Sequence, residues 1–136
     1  MPYEPNELLS RLVGLRLLAV EFILDYAVIK FDGEPTDPQP SLSFDVMPHV
    51  ETAPGTLLRD GEPGYLEALR ALVGQDVLAT VEQQGKGFRI DLTAGSIVVD
   101  PDAEELVGPE IAILRGFADD AWMCWRPGED TFAHLS

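Results

Sequence analysis

The chain has 136 residues, 46% of them hydrophobic, enough for one domain that buries its own core without a metal or disulfide and too apolar for a disordered chain. Its 24 acidic and 9 basic residues leave a formal net charge of -15, a surface that repels nucleic acid phosphates and anionic lipid. The single cysteine, Cys124, rules out an internal disulfide, and with no apolar leader in the acidic start 1–7 and no run near the roughly 20 apolar residues that span a bilayer, the expected location is the cytoplasm.

Residues 4–14 predict a short first helix. Leu8, Leu9, Leu12 and Val13 share one face of a 3.6-residue period, and Gly14 suits the left-handed position that ends a helix. The run 15–24 carries enough apolar residues for a strand in the middle of a sheet. A turn is expected at Asp25-Tyr26, followed by the alternating stretch 26–31. Proline then interrupts at Pro35, Pro38 and Pro40, where no ladder can continue. Alternation resumes over 41–47, with Leu42, Phe44 and Val46 on one face.

Pro48, Pro54, Gly55, Gly61, Pro63 and Gly64 punctuate 48–64, which is expected to be a linker, with His49 in a loop. The first pattern then returns. Tyr65, Leu66, Leu69, Leu72 and Val73 repeat the helical face, and Leu72-Val73-Gly74 repeats Leu12-Val13-Gly14. Strands are expected over 76–81 and 88–92, joined by a glycine-containing hairpin at 83–87, and again over 96–100. Residues 101–108 are acidic and irregular. Two further strands are expected at 111–114 and 121–126, and one helical turn within 131–136.

The fold class expected is α+β and rich in β. One domain spans 1–136. It holds two pseudo-repeats, about 4–47 and 62–101, each a short helix plus an antiparallel β-meander sharing one core, followed by a C-terminal strand pair at 109–126. Two copies are too few for a solenoid, which needs at least about three repeats.

Chemistry is sparse. His49, His134 and Cys124 match no zinc spacing, and Cys124 reads as a buried structural thiol. The acids at 100–105 and 32–37 lack the calcium-loop pattern. Gly85-Lys86-Gly87 lacks the spacer of a phosphate loop, and no hydrolase or metalloprotease signature occurs. No cofactor or metal is expected, and catalysis is not indicated. The candidate ligand or partner residues are Trp122, Trp125, Arg126 and Glu129. A strand there sets Trp122 and Cys124 on one face and Met123 and Trp125 on the other. One tryptophan then belongs to the core, and the other, with Arg126 and Glu129, lines a groove or an interface. The plainer account is a closing strand whose Arg126 and Glu129 steady a turn.

Leu12-Val13-Gly14, the alternating strand 26–31, the second copy Leu72-Val73-Gly74-Gln75 and the Pro127-Gly128-Glu129 turn together make the chain resemble a family of small bacterial proteins of unknown function common in high-GC Gram-positive bacteria. The likeness runs over about 8–132. It implies a cytoplasmic, two-unit β-rich domain and supplies no catalytic residue; relatives of this size look like immunity proteins of toxin systems. The expected function is therefore a non-enzymatic binding protein, an immunity-type protein or inhibitor for a basic protein partner, with homo-oligomers open. The alternative is a small-molecule or enzymatic pocket at the seam of the repeats near Trp125 and Arg126, helped by Tyr26 or His49.

Overall fold

A computed structural model describes residues 6–24, 26–32, 39–53, 55–83, 87–100, 111–125 and 132–134. The expected turns at Asp25 and around Gly85, the Pro-rich insertion 33–38, the acidic stretch 101–108 and the Pro127-Gly128 turn lie wholly or in part outside them.

The start of the chain folds as a 3-10 turn, Leu9–Leu12, and not as the expected helix over 4–14. Bonds from Arg11 N to Leu8 O and from Val13 N to Ser10 O tighten it to three residues per turn. The next donor leaves the helical path altogether, because Gly14, at φ +90°, turns its N–H to Val77 O. Leu8, Leu9 and Leu12 are fully buried, so three residues of the predicted apolar face reach the core although the helix does not form, and the fourth, Val13, is exposed.

Strands β1 (Arg16–Ile23), β2 (Tyr26–Asp32) and β3 (Ser41–Phe44) form an antiparallel meander. The supposed linker holds two more strands, β4 (His49–Ala53) and β5 (Thr56–Leu58). Pro48 precedes β4 without entering it, so this proline marks a strand end and not an unstructured link. Helix α1 (Tyr65–Ala71) follows, then the second meander β6 (Val77–Gln83), β7 (Gly87–Leu92) and β8 (Gly95–Val99). Strands β9 (Ala112–Arg115), β10 (Trp122–Trp125) and β11 (Phe132–His134) close the chain. A strand therefore stands where one helical turn was expected, paired with β10 from Trp122↔His134 to Cys124↔Phe132.

The fold is thus β-rich, with two antiparallel sheets and one short α-helix among the described residues. One sheet runs β1-β2-β3-β9-β10-β11 and the other β5-β4-β8-β7-β6. Neither meander completes a sheet from its own neighbours. β3 pairs with β9 through Leu42↔Leu114, and β8 pairs with β4 through Ile97↔Val50.

The two Leu-Val-Gly segments meet. Gly14 N donates to Val77 O at 2.9 Å and Gly74 N to Leu17 O at 2.7 Å; Leu17 N donates to Gln75 O at 2.9 Å and Val77 N to Leu15 O at 2.8 Å. Each bond turns into its counterpart when residues sixty positions apart are exchanged. Both glycines hold nearly the same conformation, φ +90° and +91°, which costs a side-chain-bearing residue strain that glycine avoids. Register shifts fall at matching places too, between Leu17 and Ala19 in β1 and between Val77 and Ala79 in β6.

The buried residues form one cluster between the sheets, including Leu17, Ile29, Phe31, Leu42 and Phe44 from one and Val77, Ile90, Leu92 and Ile97 from the other. Each such side chain contributes about 1.5–3 kcal/mol when fully withdrawn from water. Tyr65 anchors α1 from below, its hydroxyl donating to Pro48 O at 2.6 Å in the interior. Burial pushes that hydroxyl's pKa well above its usual range, with the Asp60 charge adding to the effect.

β1 is not a central strand but the outermost strand of its sheet. Its apolar density exceeds what an edge needs, and Phe22 and Ile23 stay exposed at its end.

Candidate functional site

The two tryptophans part company, as strand alternation requires. Trp125 is 2% exposed, its ring 4.1 Å from Phe88, which in turn stacks at 6.4 Å on Phe44. These three rings bridge the sheets: Phe44 and Trp125 come from one and Phe88 from the other. The Trp125 indole Nε1 is buried with no hydrogen-bond acceptor among the described residues. Trp122 is 39% exposed and looks outward, while Cys124 beside it is buried. Arg126 and Glu129 lie outside the described residues, so of the four candidates the structure places only the tryptophans, one in the core and one on the surface. His49 is a buried residue of β4 opposite Val98, not a loop residue.

A second cluster lies across β4, β7 and β8. Arg89 donates from Nε to Asp91 Oδ1 at 2.7 Å and from Nη2 to Glu51 Oε1 at 2.5 Å and Ser96 Oγ at 3.2 Å; Ser96 Oγ donates to Asp91 Oδ1 at 2.6 Å. The Arg89 hydrogen bond holds the Glu51 carboxyl below its ordinary range, and both acids in turn raise the Arg89 pKa. One guanidinium is spent on two carboxylates and a hydroxyl, which makes the cluster a cross-strand brace. Among the described residues, no three His, Cys, Asp or Glu side chains stand close enough to hold a metal ion, and no helix is long and apolar enough to cross a membrane.

The surface with the most unusual chemistry is the tip of the β1–β2 hairpin. Phe22, Leu24, Tyr26, Met47, Asp60 and Leu66 line a groove there. Phe22 is 51%, Leu66 58% and Leu24 101% exposed. Leu24 also takes φ +50°, an uncommon conformation for a bulky residue, which thrusts its side chain into solvent. Scattered exposed leucines are ordinary, but a contiguous apolar patch beside a polar rim marks an interaction surface. Sequence reasoning missed it because an edge strand and a central strand carry the same letters. The available signal was Phe22-Ile23-Leu24, three apolar residues in a row at a hairpin end, where alternation should already have failed.

The corresponding end of the other hairpin is built differently. Registers place Val20 opposite Ile29 and Phe22 opposite Ala27, and Thr80 opposite Ile90 and Glu82 opposite Phe88. Thr80 and Glu82 are both buried. Asn6 covers them: its N–H donates to Glu82 Oε1 at 3.0 Å, its Nδ2 to Thr80 O at 3.0 Å, and its Oδ1 accepts from Thr80 Oγ1 at 2.7 Å.

Compared with protein-family models, curated proteins and solved structures, the chain matches none of them.

Proposed function

We propose that this chain is a non-enzymatic protein-binding domain whose partner is a basic protein, acting in the cytoplasm in the manner of an immunity protein or inhibitor. The observation that carries this is the pairing of a solvent-facing apolar groove, lined by Phe22, Leu24 and Leu66, with a chain whose net charge is -15. Apolar area supplies affinity on association, and unlike charge supplies rate and selectivity. A pocket walled by Trp125 is disfavoured beside this reading, since Trp125 is packed in the core.

On the same footing, the chain is one domain made of two fused copies of a single unit, in line with the resemblance drawn from the Leu-Val-Gly segments. The four exchanged hydrogen bonds and the matching register shifts support this. Each unit then extends beyond its three-strand meander to take in the two strands that follow, β4 and β5 in the first and β9 and β10 in the second.

The test is retention of proteins from native lysate on the immobilised chain, read by mass spectrometry at low salt and again with salt raised. Basic proteins should be enriched and then released, because screening at physiological salt acts over about 8 Å and weakens exposed charge contacts. Recovery of no basic protein at low salt overturns the proposal.

A further inference from the structure

The two hairpin ends differ in a way that solvation alone does not favour. At matching positions, the polar pair Thr80 and Glu82 is buried, whereas Phe22 is exposed and Val20 only partly covered. A carboxylate is costly to bury and a phenyl ring costly to expose. The first cost is offset in part by the Asn6 N–H that donates to Glu82 Oε1, while the Asn6 side chain holds Thr80 through two further bonds. The second has no such offset within the described chain. Sixty positions after Asn6 stands Leu66, whose own side chain faces solvent at the groove.

Charge narrows the choice of occupant. Asp60 lines the groove and is exposed, as are Glu62 and Glu67 on the same stretch, against Arg59 and Arg70. Farther along β2, Lys30 is engaged by Glu21 at 2.7 Å. A second copy of this chain would bring -15 against -15 and the same acidic rim. Anionic phosphate or lipid is repelled for the same reason.

We infer that the groove at the β1–β2 tip is the docking site for a cationic amphipathic segment of the partner protein, one that seats an apolar side chain on Phe22, Leu24 and Leu66 and sets a lysine or arginine against Asp60. The inference rests on the protein-binding role proposed above and specifies where and with what chemistry it occurs. Leu24 and Leu66 are the anchors most open to the occupant, and Tyr26 and Met47 form the floor on which it lies.

The test uses calorimetric titration of the whole chain with a synthetic Leu/Lys amphipathic helical peptide, beside the same peptide with every Leu replaced by Ser. Two double variants, each checked for folding by circular dichroism, separate this groove from other apolar surface: Leu24→Ser with Leu66→Ser at the groove, and Leu78→Ser with Val81→Ser on the exposed part of β6. The wild type and the β6 variant should bind the Leu/Lys peptide alike, and the groove variant should lose about tenfold or more in affinity. Asp60→Asn should weaken binding and flatten its salt dependence. Equal binding by the groove variant overturns the assignment, and so does equal binding of the Ser/Lys peptide, which would make charge alone sufficient. A wild-type dimer in sedimentation that grows stronger with added salt and is lost in the groove variant also overturns it, by giving the groove to a second copy. If basic proteins are retained from lysate equally by the groove variant, this site falls while the protein-binding role stands. If the peptide binds at the groove while lysate yields no basic protein, the chemistry of the groove stands and the role falls.

Discussion

Replacing Gly74 by valine isolates the energetic role of a left-handed turn. An added Cβ at Gly74, φ +91°, meets nothing within 4 Å, and the same holds at Gly14, φ +90°. No clash contributes, so the whole penalty is the backbone conformation, which a β-branched residue tolerates poorly. The cost expected for each is about 1–3 kcal/mol. The hydrogen bonds at stake are also equivalent, Gly74 N to Leu17 O and Gly14 N to Val77 O. Gly14→Val and Gly74→Val should therefore destabilise to the same degree, and asparagine at either position should cost clearly less, because it enters the left-handed region more readily. Urea unfolding followed by tryptophan fluorescence reads this directly, with Trp125 buried against Phe88 as the reporter. With an m-value of about 2 kcal/mol per molar, a loss near 2 kcal/mol lowers the midpoint by about 1 M. A midpoint unchanged in either valine variant, or asparagine as costly as valine, would refute the assignment of these glycines to strain relief. A large difference between the two sites would refute their equivalence.

Two other perturbations probe the interior and the surface brace. Tyr65→Phe leaves the buried Pro48 carbonyl without its donor and should cost about 1–3 kcal/mol, seen as a melting temperature lowered by roughly 3–10 °C; an unaltered melting temperature would mean that this bond contributes nothing net. Because the Arg89 hydrogen bond depresses the folded-state pKa of Glu51 below its ordinary 4.5, the stabilisation is fully present above that value and is lost as pH falls through the lowered one. Asp119, held down by Arg11, acts in the same direction. Arg89→Met should flatten the fall in stability on acidification, and an acid-unfolding profile parallel to the wild type's would show that the brace carries no pH dependence.

Local patterns in the amino-acid sequence specified the meanders well. The alternation over 26–31 and 88–92 became β2 and β7, and the two Leu-Val-Gly segments became two turns hydrogen-bonded to each other's following strands. What stayed hidden was non-local. Nothing near Leu42 announces Leu114 as its neighbour, and nothing near Val50 announces Ile97. β4 has five residues and β5 three, too short for a period to stand out between prolines and glycines. The helix over 4–14 failed because pattern registers which side chains are apolar, not where Gly14 N finds its acceptor. At the surface, Trp122 and Trp125 drew notice as rare residues, yet the groove is made of common ones. Leu24 and Leu66 are ordinary letters whose exposure depends on which strand lies at the sheet edge.

The exchange of strands between sheets also sets a timetable for synthesis. β3 leaves the ribosome with its apolar residues Leu42 and Phe44 formed on one side only, and its other neighbour, β9, lies near Leu114. At about 5–20 residues per second, that partner arrives roughly 4–14 s later. During the interval the nascent meander presents an unpaired apolar strand edge to every other chain in its surroundings. Loop closure over such separations also slows folding of the finished chain. The high density of negative charge then acts before any partner is met: repulsion between half-made copies opposes their pairing until β8 has completed one sheet and β9 to β11 the other.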